Sequence, residues 1–172
     1  MGASSMHAWQ FAKALFVADA HNWTRFVSMQ NHYNLLYREE EREMLGLCAA
    51  EGIGVLPWSL LGRGRLASPW SSAVTPRTEG DSFGNSMYQR TESADKAVVD
   101  SLESLAAARA IPQAQLALAW LLARLPVTSP IVGPTKPHHL DDAVAALNVN
   151  RAPQETAARE APYIPHPVLG FG

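Results

Sequence analysis

Apolar residues recur at three- and four-residue spacing over residues 9–20, as Trp9, Phe11, Ala12, Leu15, Phe16 and Ala18 with Lys13 and Asp19 between them, which predicts an amphipathic helix. Gly2-Ala3-Ser4-Ser5 precedes it as a cap-like turn, because a serine hydroxyl can accept an orphan N–H of a first helical turn. A short β-branched run over residues 25–28 reads as a strand, and residues 37–51 read as a helix. The acidic start of that helix, Glu39-Glu40-Glu41, suits the positive end of a helix dipole, and Gly52 suits its termination.

Residues 53–57 are apolar on both faces, the pattern of a strand covered on two sides. Residues 62–88 are rich in Gly, Ser and Pro without a sustained period and are expected to form one long loop, either a candidate lid over a site or a disordered surface excursion. Two helices follow over residues 94–109 and 112–125, then a short strand over 129–133 and a last helix over 139–147. Residues 153–172 read as a proline-punctuated tail. Strands that alternate with helices imply an α/β fold with a parallel sheet and crossover helices. Gly2-Ala3-Ser4-Ser5 also looks like the end of a fourth strand whose body would precede Met1, and so short a sheet leaves two open edges.

With 172 residues, 47% hydrophobic and 17% charged, the chain can bury one sizeable core, so one domain or part of one is expected over 1–172. A net charge of -2 gives no electrostatic case for nucleic acid or an anionic membrane surface as the main partner. No stretch reaches the roughly 20 apolar residues that span a bilayer, and residues 1–20 do not read as a secretory leader, so the cytoplasm is the expected compartment. The single cysteine, Cys48, lies in an apolar helical run and reads as a core residue.

Candidate chemistry gathers where the strands end, which in parallel α/β folds is the ligand side. Ser4-Ser5 ends the first, Gln30-Asn31-His32 the second, and Trp58-Ser59-Leu60-Leu61-Gly62-Arg63-Gly64-Arg65 follows the third. Gly133-Pro134-Thr135-Lys136-Pro137-His138-His139 follows the last. Glycines allow close backbone approach, and Arg63, Arg65, Thr135 and Lys136 offer donors and charge next to helix N-termini, a phosphate environment. Trp58 offers a face for a heteroaromatic ring. Singly, Gln30 could equally serve its own turn, Trp58 the core, and Arg63 and Lys136 the solvated surface. Together they describe a dinucleotide site. Adjacent His138 and His139 do not face a common point at a helix start, so no metal site is expected.

The runs Phe26-Val27-Ser28-Met29-Gln30-Asn31-His32-Tyr33-Asn34-Leu35, Gly54-Val55-Leu56-Pro57-Trp58-Ser59, Gly62-Arg63-Gly64-Arg65-Leu66, Gln115-Leu116-Ala117-Leu118-Ala119-Trp120-Leu121 and Ile131-Val132-Gly133-Pro134-Thr135-Lys136-Pro137 resemble the downstream half of the aldo-keto reductase superfamily. The nearest likeness is to bacterial members that keep a Gln-Asn-X-Tyr-Asn strand end. The resemblance implies a partial (β/α)8 TIM barrel, about its last four βα units with the N-terminal half absent, that binds NADPH, or less often NADH, for reduction of a small carbonyl substrate. It implies that Ser4 and Gln30 hold the nicotinamide carboxamide and that Trp58 stacks on the nicotinamide. Ser59, Leu61 and Arg63 would follow the pyrophosphate, Thr135 and Lys136 would meet the 2'-phosphate, and His139 the adenine side.

Ser5, Leu60, Pro134 and Ala143 depart from the usual family residues. Ala143 replaces an adenine-binding Asn, and Pro134 removes a backbone donor near the phosphate. The resemblance also implies that the family's Asp, Tyr, Lys and His tetrad lies upstream of Met1, which leaves no catalytic residue here. Tyr33 and Tyr37, with His32 close by, have no Lys partner to lower their pKa. Three readings follow. The first is the cofactor-binding portion of a reductase, inactive as the isolated chain, and the second a catalytically silent nicotinamide-nucleotide or regulatory module. The third is a half-barrel that self-associates through its open edges.

Overall fold

The computed structural model describes residues 1–72, 80–150 and 153–168. Three short strands form a parallel sheet in the order β1 (Gly2–Ser4), β2 (Ser28–Gln30), β3 (Gly54–Val55), with Ala3 opposite Met29 and Met29 opposite Val55. The α/β class with a parallel sheet agrees with the alternation in the sequence. The second strand lies further along than the β-branched run suggests, at Ser28–Gln30. Its polar end therefore belongs to the ladder, and Met29, fully buried, is the residue it gives to the core.

The expected strand over residues 129–133 does not form. Instead residues 127–131 run beside β3: Thr128 N donates to Val55 O at 2.9 Å, Ile131 N to Pro57 O at 2.9 Å, and Val55 N to Pro126 O at 3.2 Å. Pro130 and Pro134 have no N–H to continue a ladder. Gly54 permits the close approach, since a Cβ there would stand 2.9 Å from Thr128 Oγ1.

Helix α1 (Ala8–Ala20) matches its periodicity, but its cap is His7, not Ser4 or Ser5, and Gln10 Oε1 accepts from His7 N at 3.1 Å. It buries Phe11, Leu15 and Ala18, while Trp9 and Phe16 turn outward at 62% and 71% exposure. The helix expected over residues 37–51 is broken into a 3-10 turn, Glu39–Glu41, and α2 (Met44–Ala50). Asn34 and Tyr37 bond each other's backbone at 3.1 Å, which holds Tyr37 outside the helix. The three glutamates, in the 3-10 turn before α2, also serve tertiary partners. Glu39 Oε1 accepts from Tyr163 Oη at 2.7 Å, Glu40 Oε2 from Asn31 Nδ2 at 2.8 Å, and Glu41 Oε1 from Tyr33 Oη at 2.6 Å.

The described part of residues 62–88 is not a loose lid. It contains 3-10 turns at Gly62–Gly64 and Trp70–Ser72 and helix α3 (Ser82–Tyr88), and Leu66, Met87 and Tyr88 join the core. Residues 73–79 of that segment lie outside the described residues. Helices α4 (Glu92–Arg109) and α5 (Gln113–Leu122) agree with the two apolar patterns, and α5 is buried along most of its length. Helix α6 (Pro137–Ala145) runs into a 3-10 turn, Ala146–Asn148.

The expected tail begins with helix α7 (Pro153–Glu160), whose Arg159 is 1% exposed and satisfied by Glu155 O, Leu116 O and Thr156 Oγ1. Residues 169–172 lie outside the described residues. One continuous core links the sheet (Met29, Val55) to α1, α2, α4 and α5, and Cys48 is fully buried in it. Among the described residues no single helix is long and apolar enough to cross a membrane.

Candidate functional site

Parallel pairing brings the carboxyl ends of all three strands to one rim. Ser5 N donates to Gln30 O at 3.0 Å and Trp58 N to Asn31 O at 2.8 Å, so the ladder continues past each strand into the polar turns. Ser4 Oγ and Ser5 Oγ both reach Gln30 O at 3.4 Å. Trp58 Nε1 donates to Ser5 Oγ at 3.4 Å, which ties the first and third strand ends across the second. Ser4, Gln30 and Trp58 are therefore together, as the spacing suggests. Among the described residues the half-buried side-chain amide of Gln30 holds no hydrogen bond, which leaves a donor and an acceptor for a ligand amide.

Asn31, adjacent in sequence, behaves differently. It is fully buried and its amide nitrogen serves Glu40, while Oδ1 has no hydrogen-bond partner among the described residues. Burial, with the neighbouring Glu39 charge adding to it and the Asn31 bond opposing it, pushes the Glu40 carboxyl up to about 7. Asn31 thus supports the rim from behind, although its place at the strand end suggests a ligand contact.

The turn after β3 takes left-handed backbone at Ser59 (φ 56), Gly62 (φ 55) and Arg63 (φ 57). Ser59 O accepts from Asn34 Nδ2 at 2.9 Å, and Leu61 O accepts from Gly64 N and Leu66 N at 2.9 and 3.0 Å. Arg63 Nε is ion-paired with Asp81, just before α3, and that pairing holds the Asp81 carboxyl below its usual range. The arginine expected along a phosphate path is therefore also the clasp between the turn and α3.

Thr135, Lys136 and His139 gather at the start of α6. Thr135 N and Oγ1 lie 3.4 and 3.3 Å from His139 Nδ1, and His139 N donates to Lys136 O at 3.1 Å. Thr135 and Lys136 are exposed and His139 is half-buried. Ile131 N bonded to Pro57 O joins this segment to the end of β3, next to Trp58. Among the described residues there is no group of three or more His, Cys, Asp or Glu side chains able to hold a metal ion.

Residues that the motif reading left without a role lie directly beneath Trp58. His32, Asn34 and Tyr88 meet in a buried network: His32 Nε2 is 2.9 Å from Tyr88 Oη, and Asn34 Nδ2 is 3.0 Å from Tyr88 Oη. Run-on polarity at residues 30–34 was a signal for it, but Tyr88 is 56 residues from His32 and no local pattern connects them.

None of Tyr33, Tyr88 and Tyr163 is poised to titrate near neutrality. Burial raises all three, and the Glu41 and Glu39 carboxylates that accept from Tyr33 and Tyr163 raise those two further.

The sequence profile of the Aldo/keto reductase family matches residues 1–161. Among curated proteins the chain is 43% identical over 166 residues to a versiconal hemiacetal acetate reductase of Aspergillus parasiticus, which covers 96% of this chain and 48% of that protein. It is 41% identical over 170 residues to an aldo-keto reductase of Fusarium vanettenii, covering 99% and 45%, and 40% identical over 171 residues to an aldo-keto reductase of Alternaria alternata, again 99% and 45%. These relatives are fungal, whereas the strand-end motif suggested bacterial members as the nearest. The chain spans about half the length of the curated relatives it matches.

Proposed function

The chain belongs to the aldo/keto reductase family, and from that premise we propose that it carries the cofactor-holding side of an NADPH-dependent oxidoreductase acting on an aldehyde or ketone. The observation that carries this reading is the joined rim, where the Gln30 amide, unbonded among the described residues, the Ser4 and Ser5 hydroxyls and the Trp58 ring meet at the ends of three parallel strands. The donor set suits a nicotinamide. Gln30 can donate to and accept from a carboxamide, and Trp58 can cover an aromatic face. Lys136 and Thr135, exposed at the start of α6, suit a phosphate monoester and so favour NADPH over NADH. Ser59, Leu61 and Arg63 line the path between, with Arg63 shared with Asp81.

NADPH held at this rim would supply the hydride. This chain's part is to bind and orient the cofactor at the rim and to keep water from the buried side of Trp58. Neither Tyr33, which gives its hydroxyl hydrogen to Glu41, nor Tyr88, held in the His32–Asn34 network, is placed to give the proton. We therefore read the isolated chain as binding cofactor without reducing a carbonyl. The relatives' extra length and the apolar flank beside β1 suit a barrel continued by further strands: Met1, Trp9, Phe16 and Trp23 are all at least 62% exposed, and Met1 and Trp23 line a largely apolar hollow of about 420 Å³.

Titration of NADPH against tryptophan emission tests the reading. Quenching is expected in the wild type and not in Trp58→Ala; a flat wild-type titration sinks it. Parallel assays with nitrobenzaldehyde are expected to show no turnover by the isolated chain.

A further inference from the structure

The imidazole of His32 lies between two other rings. Its centroid is 4.3 Å from that of Tyr37 with 12° between planes, and 4.5 Å from that of Trp58 with 21°. Two rings that stack so closely and so nearly parallel must occupy opposite faces of the imidazole. Trp58, His32 and Tyr37 therefore form one pile, with His32 1% exposed at its centre.

The edge of the imidazole is fixed as well. Nε2 lies 2.9 Å from Tyr88 Oη and 3.2 Å from Asn34 Nδ2, and the Tyr88 ring meets it edge-on at 84°. Asn34 Nδ2 also donates to Ser59 O, the residue after Trp58. Burial, helped by the positive charge of Arg63 and His166, holds the imidazole down to about 3, so it is neutral under ordinary conditions. An uncharged ring is stacked and desolvated at far lower cost than an imidazolium, although Nδ1 is buried without a hydrogen-bond partner among the described residues.

We propose that His32 is the positioning residue of Trp58: it covers one face of the indole and fixes its tilt, so that a nicotinamide at the rim meets a single preset face. The other restraint is Ser5 Oγ, which accepts from Trp58 Nε1 and sets the rotation of the ring in its own plane. Tyr37, beneath, and Tyr88, from α3, hold His32. A ring immobilised before binding loses no rotamer freedom when the ligand arrives, so the pile acts on affinity without touching the nucleotide.

The inference rests on the cofactor reading above, and the test separates the two. NADPH binding to the full chain is measured for wild type, Trp58→Ala, His32→Ala, His32→Phe and the Trp58→Ala/His32→Ala double variant, each with near-UV circular dichroism recorded without nucleotide. His32→Ala is expected to weaken NADPH about 3- to 10-fold, the usual worth of an aromatic pair, and to change the tryptophan bands before any ligand is added. His32→Phe, which keeps the ring and loses both ring nitrogens, is expected to restore binding. The double variant is expected to bind no worse than Trp58→Ala, because His32 acts only through the indole.

A wild type that binds while His32→Ala binds equally well overturns the positioning role and leaves the cofactor reading standing. So does a His32→Phe that keeps its fold by far-UV circular dichroism and binds as poorly as His32→Ala. A wild type with no NADPH binding overturns both.

Discussion

His166 Nε2 sits 2.8 Å from Asp95 Oδ1, with both side chains at most 2% exposed. The other ring nitrogen, Nδ1, is 2.6 Å from Ile164 O, so both nitrogens face acceptors and the ring is held as an imidazolium. Thr91 Oγ1 donates to Asp95 Oδ2 at 2.8 Å, His166 N donates to Glu39 Oε1 at 2.7 Å, and Tyr163 stacks on the imidazole at 5.4 Å. Residues 163–166 are thereby fastened to the start of α4 and to the turn after β2.

That fastening sets a pH dependence. Burial lowers the His166 pKa, but the Asp95 hydrogen bond and charge, the Ile164 carbonyl and the Glu39 charge outweigh it, so the folded value lies above the usual 6.5. A histidine raised in the folded state contributes stability that is complete below the unfolded pKa and is lost as pH rises through the folded one. The His166 Cε1 proton is expected to titrate above 6.5 by NMR. His166→Ala is expected to cost about 3 to 5 kcal/mol in urea unfolding at pH 6, because Asp95 stays buried without its partner. The double variant His166→Gln/Asp95→Asn is expected to recover much of that loss.

Glu40 works in the opposite sense from an ordinary surface carboxylate. Its pKa is raised from 4.5 to about 7, chiefly by burial. The folded state then keeps a proton that the unfolded state has released, so stability falls as pH climbs from about 4.5 to about 7 and levels off above. Glu40→Gln keeps an acceptor for Asn31 Nδ2 and removes the charge. It is expected to be more stable than wild type at pH 8 by up to about 3 kcal/mol, and no more stable at pH 4.5. Equal stability of the two proteins at pH 8 would show that Glu40 ionises freely in the fold.

What the sequence made legible, and what it hid, divide by the range of the interaction. Local periodicity was enough for α1, α4 and α5, and the polar strand ends were enough to place Ser4, Gln30 and Trp58 on one rim. The same local logic failed at Glu39–Glu41, where an apparent helix start is three carboxylates committed to Tyr163, Asn31 and Tyr33. It failed again at 62–88, whose Gly, Ser and Pro content hides α3 and the buried Tyr88. Partners such as Asp95 and His166 are 71 residues apart, and His32 and Tyr88 are 56 apart. Pairings at that distance leave no periodic trace.

Lys136 provides a test of cofactor preference. It is exposed at the start of α6 beside Thr135, with Pro137 supplying the helix's first turn. If it meets a 2'-phosphate, Lys136→Ala removes one charge-assisted contact, expected to weaken NADPH about tenfold while leaving NADH binding unchanged. The two dissociation constants, measured side by side at fixed ionic strength, check this. Equal losses for both nucleotides would place Lys136 elsewhere on the ligand.

Gly62 and Gly52 both take left-handed backbone, at φ +55 and +66, but their surroundings differ. A Cβ at Gly52 would meet nothing within 4 Å, so Gly52→Ala carries only the conformational penalty, expected at about 1 kcal/mol. A Cβ at Gly62 would stand 3.0 Å from Leu36 Cδ1 and 3.7 Å from Tyr88 Oη. Leu36 is fully buried and cannot retreat without disturbing the core, and Tyr88 holds His32 and Asn34. Gly62→Ala is therefore expected to lose more than Gly52→Ala in urea unfolding. It is also expected to alter the near-UV bands of Trp58, because the displaced contact lies one residue network from the ring pile. If the two alanine variants lose the same stability and leave those bands unchanged, the turn after β3 is not packed tightly enough to govern Trp58.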